Sequence, residues 1–253
     1  MITLRRAKER HHDQRRKREV WHTFYQENRA DALADGFGAL EILNENRLPP
    51  GKELLSLLPR DAEIVTYVCE GALTHENSKG RSGVIQAGEF QRMSVGLRSH
   101  HSETNASRTD RAHVFQIWLR FPEAGLEPGY EQKRFSVAER RGRLCVVASP
   151  DGRKGSLRIH GDALIYSALL DPGDHVVHEL SQGRSAWLHV VTGEATLGGI
   201  VLTTGDGAGL TAERSVSLTA LEETSILLVD LGQQVPGFSG NRSPGPEGVP
   251  AST

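Results

Sequence analysis

The chain has 253 residues, 37% of them hydrophobic and 25% charged, with a formal net charge of -2. That length allows one large or two small domains with a substantial core. A near-neutral balance supplies no whole-protein field for nucleic acid, and the lack of an apolar run of about 18 residues predicts no transmembrane helix.

The first eighteen residues crowd Arg5, Arg6, Lys8, Arg10, Arg15, Arg16, Lys17 and Arg18. Such a run serves as a nucleic-acid contact, as a nuclear-localisation-like patch, or simply as a solvated surface segment. Glu9, Asp13 and Glu19 dilute it and favour the last reading, so nucleic acid is not an expected partner. Residues 1–8 are charged where a signal peptide needs an apolar stretch. Two cysteines, Cys69 and Cys145, make no disulfide framework. The expectation is a cytoplasmic protein with both thiols reduced and buried. Residues 31–40 hold the pattern of a single helical turn, and longer amphipathic patterns are scarce.

Short β-branched runs bounded by Gly, Pro, Asp and Asn follow. They are Ile64-Val65-Thr66-Tyr67-Val68-Cys69, Ala186-Trp187-Leu188-His189-Val190-Val191, Ser215-Val216-Ser217-Leu218 and Ser225-Ile226-Leu227-Leu228-Val229. Each predicts a strand, and their regular spacing favours a barrel or sandwich. A weak repeat joins the two halves. Tyr67-Val68-Cys69-Glu70-Gly71-Ala72-Leu73 precedes Val84-Ile85-Gln86-Ala87-Gly88-Glu89, and His189-Val190-Val191-Thr192-Gly193-Glu194-Ala195 precedes Val201-Leu202-Thr203-Thr204-Gly205-Asp206. Strand, glycine turn, strand and glycine-acid turn recur, which points to a duplicated unit broken near residues 131–143. From Gly237 onward the chain is rich in Gly, Pro and Ser and predicts a disordered tail.

The chemistry concentrates in His101-Ser102-Glu103. Two residues apart on a strand, His101 and Glu103 share a face. Such a pair is half of an oxygen/nitrogen site for Fe, Mn or Ni. No nucleophile elbow, phosphate loop or dinucleotide fingerprint accompanies it, and the second half has no His-x-His or His-x-Glu.

The chain resembles a cupin, and specifically a pirin, from about Met1 to Gly232. The resemblance is carried by Trp21-His22-Thr23-Phe24, Gly36-Phe37-Gly38-Ala39-Leu40, Ile42-Leu43-Asn44-Glu45, Arg60-Asp61-Ala62-Glu63-Ile64, Glu70-Gly71, Gln91-Arg92-Met93-Ser94, His101-Ser102-Glu103, Gln116-Ile117-Trp118 and Tyr130-Glu131-Gln132. It implies an all-β chain of two stacked cupin (jelly-roll-like) barrels. Residues 1–130 would form the barrel with the metal site, residues 131–233 a barrel without one, and residues 234–253 the tail. Family members include bacterial proteins similar to quercetin 2,3-dioxygenase, which open a flavonol ring with O2, and a eukaryotic nuclear protein that binds transcriptional regulators.

The family pattern implies four metal ligands, two from a His-Pro-His segment directly before Arg-Asp and two from His-Ser-Glu. Here Arg60-Asp61 and His101-Ser102-Glu103 are in register, but Leu57 and Pro59 stand where the first two histidines belong. Neither side chain has an atom that coordinates a cation. Losing one outer partner of a metal site costs about 10–100-fold in affinity, so losing two ligands costs roughly 10²–10⁴ or more. Substitute ligands are His100, if a bulge turns it inward, and His75; otherwise His100 is an exposed loop residue and His75 a surface residue on a strand face. His22 reads as a buried histidine with a backbone partner. Glu63 reads as part of a salt-bridged strand end with Arg60 and Asp61, or as an outer partner of a metal site.

Two functions remain open. One is a metal-poor binding or regulatory protein with a pocket for a small aromatic or hydrophobic ligand, and with room for a protein partner. The other is a dioxygenase resembling quercetin 2,3-dioxygenase, in which His101 and Glu103 hold a divalent metal and Glu103 also serves as catalytic base.

Overall fold

The computed structural model describes residues 1–15, 17–54, 62–77, 82–95, 101–120 and 129–233, and each predicted β-branched run within them is a strand. The chain opens with β1 (Ile2–Arg5), β2 (His11–Arg15), β3 (Arg18–His22) and β4 (Leu40–Leu48). Then come β5 (Glu53–Leu54), β6 (Ala62–Glu70), β7 (Ala72–Asn77), β8 (Ser82–Gln86), β9 (Glu89–Val95), β10 (His101–Asn105), β11 (Ala112–Leu119) and β12 (Gly129–Arg134). A short helix, α1 (Val137–Arg140), leads into β13 (Cys145–Ser149), β14 (Leu157–Arg158), β15 (Ala163–Leu170), β16 (His175–Glu179) and β17 (Ser185–Thr192). The last strands are β18 (Glu194–Leu197), β19 (Ile200–Thr203), β20 (Gly207–Leu210), β21 (Ser215–Ala220) and β22 (Thr224–Leu231). Residues 31–39 form turns rather than helix, with Ala34 N–H donating to the Asp31 carbonyl at 3.0 Å, and Leu40 already begins β4.

Among the described residues these strands form four sheets. The first barrel sets the sheet β12-β9-β6-β11-β4-β3-β2 against β5-β10-β7-β8, and the second sets β1-β20-β17-β22-β15-β13-β14 against β16-β21-β18-β19. The central order β9-β6-β11-β4 recurs as β20-β17-β22-β15, so the weak repeat is a strand-for-strand duplication. Its turn glycines superpose in conformation as well as in order. Gly71 and Gly193 have φ of 76° and 94°, and Gly88 and Gly205 both have 84°, a region that glycine enters without a Cβ penalty.

Two strands cross the expected division at residue 130. β1 pairs with β20 in the second barrel, and β12, which spans residue 130, pairs with β9 in the first. Each barrel thus has an open edge of its large sheet covered by a strand from beyond its own repeat.

The two seven-stranded sheets pack against each other through a shared apolar seam. Leu43, Val65, Tyr67, Phe90, Phe115 and Ile117 from the first barrel meet Ile165, Trp187, Leu227 and Val229 from the second. β11 and β22 are consequently buried at every position, because one face lines the seam and the other a barrel interior.

The basic N-terminal segment is solvated only in part: Lys8, Arg15 and Lys17 are exposed, whereas Arg5, Arg6 and Arg10 are drawn into the structure. Arg5 pairs with Asp31 at 2.6 Å, Arg6 with Asp206 at 2.8 Å and Arg10 with Glu45 at 2.9 Å. The cations are drawn in because Asp206 and Glu45 are nearly fully buried and need partners there. Glu45 also accepts from His113 Nε2 at 2.9 Å. Burial alone would raise the Glu45 carboxyl, but the His113 hydrogen bond and the Arg10 charge outweigh it and hold the group at about 2. Cys69 and Cys145 are free thiols and only half-buried, a little more open than expected.

Two predictions follow from the seam. A Cβ on Gly207 would lie 2.5 Å from Trp187 Cζ2 inside the apolar contact. Gly207→Ala should therefore lower the unfolding free energy by about 1–3 kcal/mol in urea titration, as overpacking does. Glu45 is more acidic folded than unfolded, so its contribution is present above pH 4.5 and disappears as pH falls through about 2. Glu45→Gln should destabilise the chain by about 1–3 kcal/mol at neutral pH. The two unfolding curves should converge in acid, and a constant gap between them would contradict the assignment.

Candidate functional site in the first barrel

The interior of the first barrel is layered by strand alternation. Gln91, Thr66 and Gln116 lie directly opposite one another on β9, β6 and β11. Two residues along, Met93, Ile64, Trp118 and Ile42 make an apolar row on the same face. On the other side of the polar row sits a second apolar cluster that includes Leu48, Leu54, Val68, Leu73, Ile85 and Val114. A belt of amides and hydroxyls is thus sandwiched between two apolar layers.

Glu103 enters this belt from the small sheet. On β10 it lies opposite His75 of β7 and Leu54 of β5, and it is fully buried. Gln91 Nε2 donates to its Oε1 at 2.5 Å and Gln116 Nε2 to its Oε2 at 3.2 Å. Burial pushes the carboxyl up to about 7 even though the two amides favour the anion. Around it, Thr66 Oγ1, Gln91 Oε1 and Trp118 Nε1 are buried with no protein partner among the described residues. The belt therefore has hydrogen-bonding capacity beyond what its own members use.

His75 is not a surface residue. It is buried, its Nδ1 is 3.2 Å from the Tyr130 hydroxyl, and its ring stacks on Tyr130 at 4.4 Å between centroids. Gly83 makes room for it, since a Cβ there would come within 2.5 Å of His75 Cε1. Burial lowers the His75 pKa, and burial with the charges of Glu103 and Glu89 raises that of Tyr130. The pair lies beside Glu103, which His75 faces across the β7–β10 pairing.

Of the other sequence candidates, His101 begins β10, two residues before Glu103 on the same strand, with its Cα opposite Asn77. Leu57, Pro59, Arg60, Asp61 and His100 lie outside the described residues, as does the tail from residue 234. His22 is half-buried and bonds the Asn44 side chain at 3.1 Å, not a backbone group. Glu63 faces the seam: it accepts from His160 N–H at 2.7 Å and from Ser94 Oγ at 2.9 Å, with Arg92 Nε at 3.8 Å. Through His160 it ties the barrels together, and its expected partners Arg60 and Asp61 lie outside the described residues. Among the described residues no group of three or more His, Cys, Asp or Glu side chains is arranged to hold a metal ion.

Sequence reasoning missed Gln91, Gln116, Thr66 and Trp118. Their signal was a polar residue at the inward-facing position of a strand buried on both sides, which shows only once the strand's faces are assigned.

The second barrel supplies an internal control. Aligned on the turn glycines and the strand registers, Glu103, His75, Gln91 and Gln116 correspond to Leu218, Leu197, Ala208 and Leu228. All four belong to that barrel's buried apolar cluster. The same backbone is therefore stable with a hydrocarbon interior, and the fold itself does not require the polar belt.

Two duplicated barrels of this topology, one carrying a buried polar site, define a bicupin. The chain belongs to the pirin family: residues 5–119 match the pirin model and residues 146–231 the model of the quercetinase C-terminal cupin domain. It is 38% identical to quercetin 2,3-dioxygenase of Escherichia coli K12, over 91% of this chain and 99% of that protein. A pirin-like protein of Caulobacter vibrioides is 33% identical over 77% of this chain and 84% of its own length. Among solved structures, the bacterial pirin YhhW of Escherichia coli in complex with nickel(II) superposes with a TM-score of 0.84 at 38% identity, covering 92% of this chain and all of that one.

If the belt is dispensable to the fold, copying the second barrel into the first should be tolerated. Gln91→Ala alone leaves a Glu103 oxygen without its donor and should cost about 1–3 kcal/mol. The triple variant Glu103→Leu, Gln91→Ala, Gln116→Leu removes the whole network and should regain most of that stability. Thermal unfolding of the variants decides the matter; a triple variant less stable than Gln91→Ala would mean the belt is structural.

Proposed function

We propose that this pirin uses its first barrel to bind a small aromatic, hydroxylated ligand, with metal playing at most a weak part. The observation that carries the reading is the buried belt of Glu103, Gln91, Gln116 and Thr66 beside the apolar row of Ile42, Ile64, Met93 and Trp118. Apolar walls with a few convergent polar groups are how protein sites hold such molecules. Ring faces lie against Trp118 and Met93, while ligand hydroxyls reach the free capacity of Thr66, Gln91 and Trp118 Nε1. His75 and Tyr130 close the belt beside Glu103.

The nickel(II) of the Escherichia coli relative raises the question of a divalent metal here. The donor set fits poorly. Leu57 and Pro59 replace two expected ligands. Both Glu103 oxygens already accept amide hydrogens, and apolar Leu54 lies opposite on β5. Of the four ligands that the family pattern implies, a divalent Fe, Mn or Ni ion would keep His101 and Glu103, below the three protein ligands usual for a catalytic zinc, a guide for other metals, and His75 would have to give up Tyr130 to join them. The two free cysteines fit a reducing compartment, and we assign the protein to the cytoplasm on that ground. No helix of the described residues is long and apolar enough to cross a membrane.

The names of the relatives favour a second reading, metal-dependent dioxygenation of quercetin. Elemental analysis beside quercetin titration and turnover separates the two. The wild type should carry far less than stoichiometric transition metal and still bind quercetin. Trp118→Ala and Thr66→Val should each weaken binding by about tenfold, ~1.4 kcal/mol. Leu57→His with Pro59→His should raise metal content. Near-stoichiometric metal in the wild type, with quercetin turnover that a chelator abolishes, would establish the dioxygenase instead.

A further inference from the structure

The polar row of the first barrel continues past Gln116. Asn44 of β4 lies directly opposite Gln116 of β11, and His22 of β3 lies opposite Asn44. Asn44 is two residues from Ile42, so strand alternation turns both side chains to the barrel interior. Ile42 joins the apolar row there and Asn44 the polar one. The two differ from the rest of their rows in exposure. Gln91, Thr66, Gln116, Ile64, Met93 and Trp118 are buried, whereas Ile42 and Asn44 are half-buried. Along β4 the interior face therefore meets solvent, with an apolar side chain and an amide next to each other.

The amide is held one way round. His22 Nδ1 donates to Asn44 Oδ1 at 3.1 Å, which engages the acceptor half of the group. Asn44 Nδ2 has no protein partner among the described residues, yet it is not sealed from water as Asn46 Nδ2 is, two residues further along β4. The fold does not demand this arrangement. In the second barrel the matching pair of positions holds Val146 and Tyr166, with Tyr166 opposite Leu228.

A ligand that covers such a donor displaces its water, so it must offer an acceptor or leave the N–H unpaired. Sites that hydrogen-bond one ligand group discriminate on that ground against analogues lacking it. We propose that Asn44 is a specificity-determining residue of the first-barrel site. It selects hydroxylated aromatic ligands that also carry a carbonyl oxygen, which accepts from Asn44 Nδ2. His22 is a positioning residue that keeps the amide nitrogen turned to the ligand. The inference rests on the ligand-binding reading of the barrel and adds which ligand group is read, and where.

The test is calorimetric titration of the full-length chain with 4-hydroxyacetophenone and with 4-ethylphenol, which has a similar outline without the carbonyl oxygen. The wild type should bind the ketone about tenfold more tightly. Asn44→Leu should bring that ratio close to one and leave 4-ethylphenol binding as it was. Asn44→Asp puts a carboxylate where the donor was and should invert the preference. His22→Phe, which frees the amide to turn over, should lower the ratio, and His22→Gln, which can still donate to Oδ1, should restore it. The ratio is the readout because a general loss of stability weakens both compounds alike. If neither compound binds the wild type, the barrel reading falls and the role of Asn44 with it. If both bind and Trp118→Ala weakens both, the barrel reading stands. The Asn44 assignment then fails if the wild-type ratio is near one or if Asn44→Leu keeps the preference for the ketone.

Discussion

The seam between the two seven-stranded sheets governs everything else in the molecule. Once the two sheets pack face to face, β6, β11, β17 and β22 are buried on both sides. Away from the strand ends, a residue here faces either the partner barrel or its own barrel interior and is buried on either side. Any polar group placed there must find its partner within the protein. The seam meets that demand with ion pairs and hydrogen bonds: Arg10 pairs with Glu45 and Arg92 with Glu63, and ring nitrogens of His113 and His160 hydrogen-bond the same two carboxylates. Breaking one partner of such a pair leaves a buried charge uncompensated, which is costly, so these contacts fix how the barrels sit.

The N-terminal segment acquires its role from the same constraint. β1 covers the β20 edge of the second barrel, which would otherwise present unpaired backbone groups. From there Arg6 and Arg10 reach back to Asp206 and Glu45, one acid in each repeat. β12 does the reciprocal service for β9. The barrels are linked by exchanged edge strands as well as by apolar contact, and the chain's first residues belong to the structure that its second half builds.

Much of this was legible in the sequence. The β-branched runs, the glycine turns and the weak repeat follow from local rules, and each reappears as a strand or a positive-φ turn. The pirin markers named the architecture. What stayed hidden depended on partners far along the chain. Arg5 and Arg10 looked like surface charge because Asp31, Glu45 and Asp206 are silent about their burial until the sheets are assembled. His75 looked like an exposed strand residue because the space it fills is made by Gly83 and its stacking partner is Tyr130, 55 residues away. The Glu103 side of the candidate site was visible as a motif, whereas the two amides that hold it come from β9 and β11 and showed only as family markers.

The comparison between the barrels bears on what the belt is for. A carboxyl buried among apolar layers is costly unless it is neutralised or hydrogen-bonded. The second barrel avoids that cost with Leu218, Ala208 and Leu228 at the corresponding positions. The first barrel instead gives Glu103 two amide donors and leaves Thr66, Gln91 and Trp118 with unmet capacity. A purely structural polar network gains from being complete, because a partly satisfied one is worse than hydrocarbon. The incompleteness therefore argues for a guest that completes it. With Leu57 and Pro59 in the place of two imidazoles, that guest is better matched by a molecule with its own hydroxyls than by a bare cation. On the proposed reading, Leu57 and Pro59 would weaken the metal site and leave the hydrogen-bonding half of a ligand site in place, with Glu103 at its centre.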